Sequence, residues 1–123
     1  MTFNGNELAA IIKMAVSMAA ADGRFDEEEK KSIFEELLDF GVRPNDQAVL
    51  TIAARDMEAS EAFATIARMT DLQKKYVTGF LAVIMVSDGQ VDESEVKMWQ
   101  LISALAGLPT MNISEALDFW RNH

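Results

Sequence analysis

Cysteine is absent from this 123-residue chain, and its single histidine, His123, is the final residue. The first absence excludes disulfides, zinc–thiolate centres and thiol catalysis, and it fits a reducing cytoplasm. The second leaves no anchored imidazole for a Ser-His-Asp or Cys-His mechanism and no His-rich metal site. Helix breakers are scarce as well. Two prolines and six glycines against 50% hydrophobic residues make disorder unexpected. Basic residues number eleven against twenty acids, for a net charge of −9. They are scattered, their largest groups being Lys30-Lys31 and Lys74-Lys75. Nucleic acid, which needs clustered cations on its phosphates, is therefore not an expected partner. The acidity suits a basic protein partner or a hard cation instead. No glycine-rich phosphate loop is present.

Long apolar runs are also missing. YVTGFLAVIMVS, residues 76–87, is too short for a bilayer, which takes about 20 apolar residues, and predicts a buried helix. The opening MTFNGNELAAIIKMAVSMAAADG lacks a basic start, and Glu7 and Lys13 interrupt it, so it predicts an amphipathic helix and not a signal peptide. No membrane insertion is expected. The chain length suits one domain, residues 1–123.

What is present is helical spacing throughout, with no alternating strand pattern. Asn4 and Glu7 have capping-box spacing and open a first helix to about Asp22, stopped by Gly23. Asp26 caps a second, which Gly41 and Pro44 close. A third starts at Asn45 and runs to about Met57, and a short fourth spans Ser60 to Arg68. Thr70 or Asp71 opens a fifth that is apolar all round in its second half, so it should cross the middle of the domain. Asp92 caps the sixth, which ends at Gly107, and Asn112 with Glu115 opens the last. The expected fold class is all-α, a compact bundle of about seven helices.

One acidic phrase is written twice. DGRFDEEEKK at 22–31 returns as DGQVDESEVK at 88–97, with six of ten positions identical. Helices one and two are thus echoed by five and six, and a pseudo-twofold bundle is expected. Much of the phrase is corner geometry: a glycine stop, then Asp26 or Asp92 as cap with Glu29 or Glu95 three residues on, worth about 1 kcal/mol per cap. Asp22 and Asp88 are not covered by this account. Placed in the last turn of a helix, each would face the negative end of the dipole at a cost of roughly 0.3–1 kcal/mol. Amides, a basic side chain or a bound cation would have to compensate.

Laid on an EF-hand loop with Gly23 or Gly89 sixth, the phrase supplies acids at the fifth, ninth and twelfth positions: Asp22, Asp26, Glu29 and Asp88, Asp92, Glu95. The first half of the loop is missing, since Met18 and Ala20, or Ile84 and Val86, stand at its first and third positions. Neither copy should hold calcium tightly alone. Two half-loops brought together could offer several oxygens to one Ca²⁺ or Mg²⁺.

The blocks AAADGRFDEEE and VSDGQVDESE resemble the tellurite-resistance TerB family, whose relatives include a central segment of membrane-anchored DnaJ-like co-chaperones. That resemblance implies an all-helical fold of about seven helices and metal binding by the acids. Asp22, Glu29, Asp88 and Glu95 are the residues it carries over first, then Asp26 and Asp92. The co-chaperones' His-Pro-Asp is not present, so their role is not implied.

Three readings stay open: a cytoplasmic interaction or stress-response module that is not an enzyme and binds a divalent cation; a metal-assisted hydrolase using the same carboxylates; and a ligand-free scaffold. Met14, Met18, Met85 and Met98 fall at core positions. An exposed Trp99 or Trp120 beside Leu108 and Met111 would mark a protein-partner or homodimer patch.

Overall fold

Polar side chains at the helix starts decide where the chain turns. A computed structural model describes residues 3–21, 23, 27–39, 41–87 and 91–122, with the side chains of 27–29 outside the description. Among the described residues there are seven helices and no strand: α1 Gly5–Ala19, α2 Glu27–Asp39, α3 Pro44–Asp56, α4 Ala59–Ala67, α5 Asp71–Met85, α6 Glu93–Leu105 and α7 Ile113–Asn122. Reciprocal capping boxes close the starts of α1 (Asn4/Glu7), α5 (Thr70/Gln73) and α7 (Asn112/Glu115). α3 begins one residue earlier than expected, because Pro44 has no N–H to lose at a first helical position.

The ends of α1 and α5 correct the sequence reading. α1 stops at Ala19 and α5 at Met85, three residues before Asp22 and Asp88. Both unwind through i→i−3 turns, Ala21 N to Met18 O (3.1 Å) and Ser87 N to Ile84 O (3.2 Å). Both helices thus end before the positions of Asp22 and Asp88, which lie outside the described residues.

α1 and α5 form the centre. α5 is buried from Val77 to Phe80 and on to Met85, as its apolar run predicts. α1 is as deeply placed, with Ala9 through Ile12, Met14, Ala15, Met18 and Ala19 all buried and contacts to α2, α3, α4, α5 and α6. Four alanines allow those helices to approach closely. Buried Met18 and Ile84, at the first EF-hand position of each copy, serve packing.

The helix bounds recur at one spacing. α5 and α6 begin and end 66 residues after α1 and α2, and α7 ends 66 residues after α3. The second corner repeats too. Gly41 (φ 83°) and Gly107 (φ 65°) take the left-handed conformation, and the next residues, buried Val42 and Leu108, bond back to Leu37 O (3.1 Å) and Ser103 O (2.9 Å). This is the Schellman ending, whose positive φ favours glycine. In chain order α1–α3 form a first unit and α5–α7 a second, with α4 between them.

Candidate functional site

Of the six acids expected to form a site, Asp92 and Glu95 are described in full. Asp92 is the N-cap of α6, its Oδ1 accepting from Ser94 N (2.8 Å) and Glu95 N (3.3 Å). Glu95 is 3% exposed and has an interaction partner. Read from sequence as a capping-box partner and candidate ligand, it is a buried carboxyl, and such a group is costly unless its surroundings satisfy it. Glu29 lies in the first turn of α2 with its side chain outside the described residues, and Asp22, Asp26 and Asp88 lie outside them altogether. The donor chemistry of the six is all carboxylate, which suits hard Ca²⁺ or Mg²⁺.

Besides a groove of about 420 Å³ beside Glu36, Asp39, Val83, Val86 and Trp120, two more lie elsewhere, and none of the three is lined by Asp92 or Glu95. One, of about 320 Å³, sits between α1, α2 and α3 over a floor of Ile12, Val16, Ile33, Phe34 and Ala54. Its charged lining is cationic: Lys13 from α1, Lys30 from α2 and Arg55 from α3. These residues are scattered along the sequence, and only tertiary packing gathers them. The other groove, of about 900 Å³, runs along α6 and the turn into α7, where Val96, Trp99, Leu108, Met111 and Ile113 line it. Trp99 is 5% exposed, and its indole N–H has no acceptor among the described residues.

Trp120 behaves differently. It is half-buried on α7, and its Nε1 donates to Glu36 Oε2 on α2 at 3.0 Å. Burial pushes the Glu36 carboxyl above its ordinary value despite that hydrogen bond, and Asp39 and Glu35 push the same way. Trp120 packs on Phe80 (ring centroids 5.8 Å) and Tyr76 (6.4 Å). Beneath it α5 and α7 meet at Gly79, where an added Cβ would lie 3.0 Å from Ala116 O and 3.1 Å from Trp120 Cβ.

No helix among the described residues is long and apolar enough to cross a membrane. Set against known proteins, the chain matches none of the curated ones. Among solved structures it is similar to the crystal structure of a protein of unknown function from Porphyromonas gingivalis. The two share 48% identity at a TM-score of 0.90, over 99% of this chain and 92% of the other. The family profile of tellurite resistance protein TerB matches residues 8–117. With that match spanning nearly all seven helices and both acidic corners, the chain belongs to the TerB family.

Proposed function

We propose that this chain is an interaction module of the cytoplasmic stress response, not an enzyme, whose two acidic corners together bind one divalent cation. The observation that carries this reading is the common spacing: the acidic phrase and the helices flanking it recur 66 residues apart. Both corners are thus attached to like backbones, and a pseudo-twofold arrangement would turn them toward one another. Asp22, Glu29, Asp88 and Glu95 would hold Ca²⁺ or Mg²⁺, with Asp26 and Asp92 capping the helices behind them. The cation would neutralise the corners and fix α1–α2 against α5–α6, so its level would set the shape of a surface read by a protein partner or a second copy. Exposed apolar stripes support a partner role: Val49 and Ile52 on α3, Leu101 and Leu105 on α6.

Melting the metal-free protein with and without millimolar Ca²⁺ or Mg²⁺ tests the proposal. A ligand at 100 times its Kd adds about 2.7 kcal/mol to stability. The melting temperature should rise for wild type and stay flat for Asp22→Asn/Asp88→Asn. A flat response in both proteins leaves a structural scaffold.

A further inference from the structure

The groove between α1, α2 and α3 is an anomaly of charge. In a chain of net −9, its charged lining is Lys13, Lys30 and Arg55, delivered by three different helices. Among the described residues Lys31 pairs with Glu35, Arg43 with Asp46 and Lys97 with Glu93, while Arg68, Lys74, Lys75 and Arg121 form no ion pair. Lys13 and Arg55 have no carboxylate within 4.0 Å among the described residues, whereas Lys30 is already engaged. The hydroxyls in the lining are committed too, Ser17 to Lys13 O (2.8 Å) and Thr51 to Gln47 O (2.7 Å). An anion entering here would be met by Lys13 and Arg55.

Counting 66 residues on, Lys13 corresponds to Gly79 and Ala54 to Trp120. In the second unit the Ala116 carbonyl and the Cβ and Cα of Trp120 crowd Gly79, so α7 sits directly on α5 there. At the positions 66 residues earlier the first unit carries a lysine and an alanine, and a volume of about 320 Å³ stays open beside Ile33 and Phe34.

We infer that this groove binds an alkyl carboxylate, its chain against Val16, Ile33 and Phe34 and its head group between Lys13 and Arg55. Charge calls for an anion, and the floor calls for an apolar body. The volume falls at the small-molecule end of pocket sizes, too small for a partner helix. The guanidinium fork of Arg55 matches a carboxylate, with Lys13 as a second point charge. The site is separate from the acidic corners and does not depend on their binding metal.

Isothermal titration with monomeric decanoate tests it. Wild type should bind saturably, one ligand per chain, and bind decanol, which lacks the charge, at least about tenfold more weakly. Lys13→Glu/Arg55→Glu should lose at least about tenfold in affinity. The charge-matched control Arg68→Glu/Lys75→Glu, both residues exposed and far along the chain, should bind as wild type does. Ala54→Trp should close the groove and abolish binding, and if it fails to fold, the charge variants still decide. Absence of saturable binding overturns the inference. So does undiminished binding by Lys13→Glu/Arg55→Glu, or an equal loss in the control. Binding to anionic vesicles without binding to monomeric decanoate would overturn it in favour of a membrane surface.

Discussion

In α5–α7 the backbone and Cβ of Trp120 press on Gly79; in α1–α3 the residues 66 positions earlier are Ala54 and Lys13, and both line a groove whose charged residues are cations. The bounds of α1 and α2 recur in α5 and α6, as do the Gly41 and Gly107 corners, whereas α3 and α7 share only their ends. The side chains differ. Trp120 spends aromatic volume on holding α7 to α5, and grooves stay open along α6 and beside Trp120 as well as between α1, α2 and α3. The last is the one of these three whose charged lining is cations alone.

The sharpest way to break this comparison is to remove the filler. Trp120→Ala should cost about 3 kcal/mol in denaturant unfolding, from lost packing on Phe80 and Tyr76 and the lost bond to Glu36. At the matching position Ala54→Gly should cost only about 1 kcal/mol, the helix propensity difference. Equal losses would mean that the units do not divide the work as described.

Gly79→Val should cost about 1–3 kcal/mol by forcing α5 from α7, whereas Lys13→Val should shift the unfolding midpoint by less than about 0.5 kcal/mol. Asp92→Ala should remove about 1 kcal/mol, because two amides lose their acceptor. The smallest effect concerns the strut between the units. Glu36 has a raised pKa in the folded state, so folding favours its protonated form, and stability from this group grows as pH falls through that raised value toward the ordinary 4.5. Melting curves of wild type and Glu36→Gln should accordingly converge or cross in wild type's favour on acidification. A gap that widens against wild type contradicts the assignment.

Much of the frame could be read from residues alone. Asn4, Thr70, Asp92 and Asn112 have short polar side chains that cap helices, and Gly41 and Gly107 end them, so starts and corners followed from local chemistry. The early ends of α1 and α5 did not, because Ala20 and Val86 carry no breaking signal and the turns that end those helices are made by backbone alone. The common end position of α3 and α7 was hidden as well: no residue pattern marks it, since Ala54 and Trp120 share nothing. Glu95 was named as a candidate ligand, and its burial, which depends on helices distant in sequence, was not foreseen. The meeting of Lys13 with Arg55 is tertiary in the same sense, and no local pattern announces it.

The claim that the two acidic corners act as one is tested most directly by stoichiometry. Titrating the metal-free protein with Ca²⁺ in a calorimeter should give one cation per chain, with Asp22→Asn and Asp88→Asn each abolishing binding. Two independent cations per chain, or single variants that each retain a site, would contradict it.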